Sequence, residues 1–318
     1  MAKAGFVTII GKPNVGKSTL MNTLIGQKLA ITSYKPQTTR RRMRTVFTEE
    51  RGQIVFLDTP GMNADKTGSA AGTGYTGYFN TQLGSYMEEA AEGTLRDADV
   101  ILMLTEPKPR TAAEERAILG LLPDAGQVPV FLIINKIDSV SNETLGKVIA
   151  AYSEIYPFRE IIPVSARTGK GTDDLISTLF DYLPEGEPLY DGDTVTDVRE
   201  RDIIADIIRE KALRLLQDEV PHGIAVSVDS MKYREGRAGT ICDINASIVT
   251  EKETHKAIII GKGGEMLKKI GTAARIDAEQ LIGSKVNMKL WVKIRRDWRD
   301  NEQQLKAFGY DSRELHEH

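Results

Sequence analysis

The sequence predicts two domains: an α/β domain with a mixed, mostly parallel sheet covered by helices on both faces, and a smaller α+β domain after it. Short apolar runs alternate with helical stretches up to Leu183, which is typical of parallel strands buried on both faces. Residues 184–200 are rich in Pro, Gly and Asp and lack apolar periodicity, so we predict a linker there. After the linker, the predicted order of elements changes to α-β-β-α-α-β.

The composition is that of a globular protein. Apolar residues make up 41% and charged residues 27% of the 318 positions, and the net charge of −3 argues neither for nor against a nucleic-acid partner. Cys242 is the single cysteine, which excludes an internal disulfide and favours a reducing compartment. The N-terminus has no secretory pattern, and no apolar run reaches about 18 residues. We therefore expect a cytoplasmic protein without a membrane span.

The first domain, residues 1–183, follows the strand–helix alternation closely. Its predicted strands are 5–10, 43–49, 53–58, 99–104, 129–134 and 160–164, and its predicted helices include Lys17–Leu29, 85–96 and Asp173–Tyr182. Arg51-Gly52 is the expected turn between the second and third strands. Gly169–Thr172 looks like a phosphate-binding loop but lacks the spaced upstream glycine, so we predict a turn that begins a helix.

The second domain, residues 201–300, begins with an amphipathic helix. The predicted order is a helix at 201–218, strands at 224–231 and 239–249, helices at 254–259 and up to 282, and a strand at 286–295. Residues 301–318 are expected to form a polar C-terminal helix and tail.

A phosphate-binding loop follows the first strand. Gly11–Ser18 fits the pattern G-x-x-x-x-G-K-[ST], in which glycines let backbone N–H groups surround phosphate oxygens. Lys17 places a cation on the β- and γ-phosphates, Ser18 offers a hydroxyl to Mg²⁺, and the following helix directs its positive end at the anion. The expected phosphate contacts are Gly11, Pro13, Asn14, Val15, Gly16, Lys17, Ser18 and Thr19.

A second motif, Asp58-Thr59-Pro60-Gly61, ends the third strand. Asp58 can hold Mg²⁺ through water, and the Gly61 N–H can approach the γ-phosphate. The next residue is Met62, whereas some GTPases place there a glutamine that orients the attacking water. We therefore expect slow intrinsic hydrolysis. Residues 63–82 are rich in Gly, Ala and Thr and are expected to be mobile.

The motif Asn135-Lys136-Ile137-Asp138 follows a buried strand and predicts guanine as the base. The Asp138 carboxylate can accept from the ring N–H and the exocyclic amine of guanine, which adenine does not offer. Asn135 can brace the loop, and the stem of Lys136 can cover the base. Ser165-Ala166, after another strand, can supply a backbone N–H to the guanine oxygen.

Lys35–Arg40 lies between the first two motifs and predicts a nucleotide-sensing segment. Thr39 is the threonine expected to reach Mg²⁺ and the γ-phosphate, with Thr38 as the alternative. The predicted Mg²⁺ ligands are thus Ser18, Thr39 and Asp58, and the catalytic groups Lys17, Thr39 and Gly61. The alternative interpretation is a polar loop with a solvated Arg40–Arg42 run.

The second domain carries the turn Gly261-Lys262-Gly263-Gly264 between two helices. A G-x-x-G turn in this order of elements is typical of a type II KH domain, in which a nucleic-acid backbone approaches the glycines closely. The predicted RNA contacts are Gly261, Lys262, Gly263, Gly264, Lys268, Lys289 and Arg295. The alternative is an ordinary α+β domain with a solvated basic face. The four histidines do not cluster with the cysteine, so we expect no zinc site.

The motifs together resemble the Era family of bacterial GTPases over nearly the whole chain. The resemblance is carried by GKPNVGKSTLMNTLIGQKLAITSYKPQTTR, DTPG, NKID, VSA, TDVRERDIIADIIREKALRLLQDEVPHGIAVSVDSM and AIIIGKGGEMLKKIGTAARIDAEQLIGSKVNMKLWVKIRRDWR. Residues 63–82 depart from the family, whose members have a shorter, basic segment there.

The resemblance implies a P-loop GTPase domain followed by a KH domain, with GTP or GDP and Mg²⁺ as ligands. It also implies a factor for assembly of the small (30S) ribosomal subunit, which binds the 3′ end of the small-subunit rRNA in a manner coupled to GTP. Asn14 matches the asparagine that related GTPases use for activation by K⁺. We further expect a monomer, with peripheral association at the cytoplasmic face of the inner membrane.

Two other functions fit parts of the sequence. A KH protein with a passive GTPase domain would bind RNA without using hydrolysis as a timer. A membrane-trafficking GTPase is disfavoured because the sequence has no lipidation motif or amphipathic basic anchor.

Overall fold

The computed structural model describes residues 2–30, 40, 42–58, 81–108, 113–123, 126–217, 220–237, 239–311 and 313. The expectations for Thr38, Thr39, Gly61, Met62 and most of the segment 63–82 lie outside these residues.

The first domain is built on a six-stranded sheet in the order β2-β3-β1-β4-β5-β6. The strands are β1 Lys3–Gly11, β2 Met43–Glu49, β3 Gly52–Asp58, β4 Val100–Thr105, β5 Val130–Ile134 and β6 Glu160–Pro163. Only β2 is antiparallel to its neighbour, with Arg51 at the turn. The mixed, mostly parallel sheet is confirmed.

Helices cover this sheet. They are α1 Lys17–Ile25, α2 Gln82–Arg96, α3 Ala113–Leu119, α4 Asn142–Ser153 and α5 Thr172–Tyr182. The prediction that the first helix extends to Leu29 was wrong, because Gly26 adopts a left-handed φ of 72° and ends α1. The turn at Gly169–Thr172 begins α5, as predicted, and the Thr172 hydroxyl donates to the Gly169 carbonyl at 2.7 Å.

Residues 184–199 have the composition of a linker, but they pack along the outer strands of the sheet. Buried Gln53 accepts hydrogen bonds from the N–H groups of Leu189 and Tyr190 at 2.8 and 2.9 Å. The Val46 N–H donates to the Val195 carbonyl at 2.9 Å. These bonds attach the segment to β2 and β3. The domain boundaries at 183, 200 and 300 stay a prediction.

The second domain is a three-stranded sheet with helices on one face. Its elements are α6 Glu200–Leu215, β7 Ala225–Gly236, β8 Gly239–Thr250, α7 Glu253–Ile260, α8 Glu265–Ile282 and β9 Lys285–Ile294. The sheet order is β7-β8-β9, with β7 antiparallel and β9 parallel to β8. The order α-β-β-α-α-β predicted for a type II KH domain is confirmed.

Two predicted bounds in this part of the chain were wrong. The helix predicted to 218 ends at Leu215, and the strand predicted to end at 231 continues to Gly236. The added residues are polar and pair across the hairpin, as in the ion pair of Arg234 with Asp243. The predicted C-terminal helix is α9 Glu302–Ala307, after which Gly309 has a left-handed φ of 81°.

The two halves pack against each other. Leu29, just after α1, belongs to the apolar core of the second domain. Leu83 and Tyr86 of α2 pack with Trp298 and Phe308 near the C-terminus. The first domain therefore contacts the second domain directly, through Leu29 and through α2.

Candidate functional site

The phosphate-binding loop lies between β1 and α1. Gly16 has a φ of 104°, and a Cβ there would lie 2.2 Å from Asn135 Nδ2. Asn14 also adopts a left-handed φ, 68°. The loop thus closes against the base-specifying motif, and glycine is required at the point of contact.

Lys17 is buried inside this loop. Its Nζ donates to the carbonyl groups of Gly11 at 2.7 Å and Lys12 at 2.9 Å. Burial lowers the pKa of Lys17 to about 8, and the negative charge of Asp58 acts in the opposite direction. An anionic phosphate beside Lys17 would stabilise the protonated form and raise the pKa again.

Ser18 and Asp58 supply oxygen atoms beside Lys17. Ser18 lies in the first turn of α1, and Asp58 is fully buried at the carboxyl end of β3. A hydroxyl and a carboxylate are the hard oxygen donors that Mg²⁺ prefers. The residues present therefore fit a magnesium ion between the phosphate loop and β3.

Asn135 connects three loops at the carboxyl edge of the sheet. Its Nδ2 donates to the Val15 carbonyl at 2.8 Å, and its Oδ1 accepts from the N–H groups of Lys136 and Ala166 at 2.8 and 2.9 Å. Asn135 is 2% exposed. One buried amide thus fixes the phosphate loop, the base-specifying loop and the Ser165-Ala166 turn relative to one another.

The Asp138 carboxylate lies beside the Ser165-Ala166 turn. Ser165 Oγ donates to Asp138 Oδ1 at 2.5 Å, and the guanidinium of Arg167 pairs with Oδ2. These two hydrogen bonds hold the pKa of Asp138 below its usual value. The carboxylate is therefore an ionised acceptor, as recognition of the two guanine N–H groups requires.

Lys136 closes this edge of the site. It has a left-handed φ of 63°, its Nζ donates to the Asn14 carbonyl at 2.7 Å, and it pairs with Glu106. Its stem thus bridges the base-specifying and phosphate loops, as a side chain that covers a base must.

The sequence-based prediction missed two features. The first is the ion pair of Arg167 with Asp138. Arg167 directly follows Ser165-Ala166, so its position in the sequence could have suggested this contact. Glu115 of α3 is buried and pairs with Lys12 of the phosphate loop at 3.1 Å; it also accepts from Thr105 Oγ1 at 2.8 Å. Nothing in the charged stretch around Glu115 marks it as the partner of the loop.

The glycine turn of the second domain lies between α7 and α8. Gly261, Gly263 and Gly264 all have left-handed φ values, of 72°, 60° and 83°. A Cβ on Gly261 would lie 2.7 Å from Met266 Cβ, whereas a Cβ on Gly263 would meet no atom within 4 Å. Gly261 is thus required by the fold, and Gly263 leaves open space on the surface.

A groove of about 500 Å³ extends from this turn, between α8 and β9. Its lining includes Gly264, Leu267, Lys268, Gly271, Arg275 and Leu290. Of the predicted RNA contacts, the turn and Lys268 therefore lie together. Lys289 does not line the groove, because it points to the opposite face of β9, and Arg295 follows the end of that strand.

No helix within the described ranges is both long and apolar enough to cross a membrane.

Known families match both halves of the chain. The model of the 50S ribosome-binding GTPase family matches residues 6–136, and that of the KH domain matches residues 219–299. The GTPase Era of Clostridium acetobutylicum is 48% identical over 310 residues, which cover 98% of each chain. The GTPase Era of Lactobacillus delbrueckii subsp. bulgaricus is 47% identical over 314 residues, again covering 98% of each.

Two solved structures share the architecture of the whole chain. One is Era in complex with MgGDPNP and nucleotides 1506–1542 of 16S ribosomal RNA, with a TM-score of 0.87 and 39% identity over 98% of this chain and 100% of the other. The second is a variant of Aquifex aeolicus Era bound to GDP·AlF4⁻, with a TM-score of 0.87 and 39% identity over 97% and 99%. The phosphate loop, the guanine-specifying edge, the KH fold and the near-full-length identity together show that the chain belongs to the Era family of GTP-hydrolysing enzymes.

Proposed function

We propose that this protein is a GTP-regulated assembly factor of the small (30S) ribosomal subunit that binds the 3′ end of the small-subunit rRNA with its KH domain. The observation that carries the proposal is the groove between α8 and β9, which opens at the exposed glycine turn of a chain that also carries the nucleotide site. A related Era has been solved with nucleotides 1506–1542 of 16S rRNA.

In this proposal the nucleotide site has three parts. Asn135, Lys136, Asp138, Ser165 and Ala166 bind guanine; Gly11, Pro13, Asn14, Val15, Gly16, Lys17, Ser18, Thr19, Asp58 and Gly61 surround the phosphates; and Ser18, Thr39 and Asp58 bind Mg²⁺. When bound, Mg²⁺ would neutralise phosphate charge during hydrolysis. Lys17, Thr39 and Gly61 act on the γ-phosphate. K⁺ bound with the help of Asn14 is a further proposed cofactor.

Charge distribution supports RNA as the partner of the second domain. Residues 201–300 contain 19 Lys and Arg against 15 Asp and Glu, although the whole chain has a net charge of −3. Lys262 and Lys268 are exposed at the turn and along the groove. A KH turn clamps about four nucleotides by its backbone, which suits a glycine turn flanked by lysines.

Crosslinking of the GDPNP-bound protein to cellular RNA tests the proposal. We expect the reads to concentrate at the 3′ end of the small-subunit rRNA. The test variant is Gly263→Asp: the position has open space, and aspartate is among the few residues that adopt a left-handed φ, although with some strain. We expect it to block the phosphate approach, and thermal unfolding of the variant checks that the fold is retained. Reads spread over messenger RNA, or unchanged by Gly263→Asp, would contradict the proposal.

A second experiment separates a GTP-driven timer from a KH module with a passive GTPase domain. Lys17→Ala removes the buried cation of the phosphate loop. If GTP hydrolysis times release from RNA, this variant fails to support subunit maturation in cells that lack the natural protein. Full complementation would establish the passive alternative.

Monomeric state and peripheral membrane association belong to the same proposal. Sedimentation of the purified protein with and without liposomes of inner-membrane lipids measures both properties. Sedimentation as a dimer would contradict the proposed monomeric state. A protein that stays entirely in the lipid-free fraction would contradict the proposed membrane association.

A further inference from the structure

We propose that the exposed part of the KH-domain sheet face opposite α6, α7 and α8 is a second contact surface for single-stranded RNA, which reaches it from the groove over strand β9. This surface, called the open sheet face below, consists of Lys285, Asn287, Lys289, Trp291 and Lys293 with Asp243 and Asn245 on β8. It ends at Val249, which is buried against α2 and the C-terminal residues. The inference rests on the proposed function, because it takes RNA as the occupant of the groove.

Alternation along β9 defines this face. Side chains at odd positions from 285 to 293 are exposed, whereas Met288, Leu290 and Val292 pack against the apolar core under the helices. Lys289 therefore belongs to the open sheet face and not to the groove. If Lys289 contacts RNA, as the sequence predicts, it does so outside the groove.

Positive charge on this face is regularly spaced. Lys285, Lys289 and Lys293 recur every fourth residue, which places them about 13 Å apart along the strand. Lys293 pairs with Asp229 at 3.0 Å. Within the residues that the structure describes, Lys285 and Lys289 form neither an ion pair nor a hydrogen bond through their side chains. Two cations are thus available to phosphate groups.

The acidic groups of the same face are already bound. Asp229 accepts from Ser247 Oγ at 2.5 Å, and Asp243 pairs with Arg234 and accepts from Asn287 Nδ2 at 2.7 Å. The ion pairs with Lys293 and Arg234 compensate the charges of these two carboxylates, so the carboxylates offer little repulsion to a polyanion.

Trp291 lies between Lys289 and Lys293 on this strand and is 46% exposed. A single exposed aromatic side chain is common on protein surfaces and needs no explanation by itself. Here the indole stands between Lys289 and Lys293 on a strand edge, and aromatic rings interleaved with cations bind single-stranded nucleic acid by base stacking. The charge of the row favours RNA over a protein as the occupant.

The open sheet face is continuous with the groove. Strand β9 is the edge of the sheet, and the groove lies between this strand and α8. Asn287 lines the groove and also bonds to Asp243 on the open sheet face. An RNA strand that leaves the groove across β9 therefore meets Lys289 and Trp291 without crossing another element.

Binding measurements with two RNA lengths test the inference. The long probe is the RNA of nucleotides 1506–1542 of 16S rRNA, and the short probe is a hexanucleotide that fills only the groove. We expect Trp291→Ala to weaken binding of the long probe at least about fivefold and to leave the short probe within about twofold. Trp291→Phe keeps a stacking ring and restores binding of the long probe.

Two readouts report on direct contact. Lys289→Ala should reduce the slope of log affinity against log salt by about 0.7 for the long probe, as expected for one lost phosphate contact. Trp298 is fully buried, so quenching of tryptophan fluorescence by the long probe reports on Trp291. Thermal unfolding and RNA-free GTP hydrolysis of each variant control for folding.

The outcomes distinguish a failure of the open sheet face as an RNA surface from a failure of the proposed function. If Trp291→Ala and Lys289→Ala bind the long probe like the wild type while Gly263→Asp loses both probes, the open sheet face is not an RNA surface and the proposed function stands. The same conclusion holds if these variants bind both probes like the wild type and lose only capture of ribosomal proteins from RNase-treated 30S subunits, since a protein would then be the occupant. If the wild type binds neither probe, the proposed function itself is wrong.

Discussion

Nucleotide binding should be coupled to protonation of Lys17. Burial holds the pKa of this lysine at about 8, against 10.5 for an ordinary lysine, and this difference corresponds to roughly 3 kcal/mol. The penalty on the charged form is fully present below pH 8 and disappears as the pH rises from 8 to 10.5. Phosphate oxygens beside Nζ reverse the burial effect and raise the pKa in the complex. The protein should therefore take up about 0.5 protons per nucleotide at pH 8 and about 0.1 at pH 7.

Calorimetry with Mg·GDP in two buffers of different ionisation enthalpy measures this uptake. Guanosine is the control, because it fills the base site without placing phosphate beside Lys17, and it should bind without proton uptake. At pH 8 the guanine ring and the phosphates do not change protonation, so the lysine is the group that titrates. Uptake near zero at pH 8, or equal uptake with guanosine, would refute the argument that burial depresses the pKa of Lys17.

Four further predictions follow from particular side chains. Asp138→Asn should weaken GTP binding at least about tenfold and favour xanthosine triphosphate, measured by nucleotide competition, because the amide presents a donor where guanine also donates; unchanged preference would contradict the assignment. Arg40→Met should lower the free energy of unfolding by about 2–4 kcal/mol in urea titrations, whereas exposed Arg51→Met should change it by less than about 1 kcal/mol; equal effects would mean that burial of Arg40 is unimportant. Because Met62 cannot orient water, RNA-free turnover should stay below about one per second, and a faster rate would disprove this. Hydrolysis should be several-fold faster in KCl than in NaCl and Asn14→Ala should remove the difference; equal wild-type rates would exclude a role for K⁺.

Local motifs made most of the nucleotide site predictable. The phosphate loop and the Asn135–Asp138 motif are runs of adjacent residues, and each follows a buried strand. Because parallel strands end at one edge of the sheet, these loops had to converge there. The hydrogen bonds of Asn135 to Val15 and Ala166 are the result.

Partners chosen by tertiary structure were not predictable. Glu115 is one of several acidic residues in a short helix, and only the folded chain places it beside Lys12. Lys289 was assigned to RNA binding with its basic neighbours, but strand alternation separates it from the groove. Composition shows how much charge a segment carries, whereas the register of a strand decides which face presents it.

The run Arg40–Arg42 is a second case in which composition alone did not predict where charged side chains lie. Sequence alone allowed a solvated basic loop, but Arg40 is 2% exposed, donates from Nη1 to the Ile224 carbonyl at 2.7 Å, and lies over the ring of Trp298. Arg42 pairs with Asp97 at 3.1 Å. The solvated-loop alternative is therefore wrong for both described arginines of the run.

Lys28, which precedes the predicted nucleotide-sensing segment, contacts the KH domain just as Arg40 does. Lys28 contacts Glu210 of α6 at 3.1 Å and also pairs with Asp277 of α8. Although burial opposes it, the hydrogen bonds to these two carboxylates raise the pKa of Lys28, so the ion pairs persist at neutral pH. The segment between Lys28 and Arg40 thus begins and ends on the KH domain. The helix that Lys28 contacts through Asp277, α8, also carries the groove-lining Lys268.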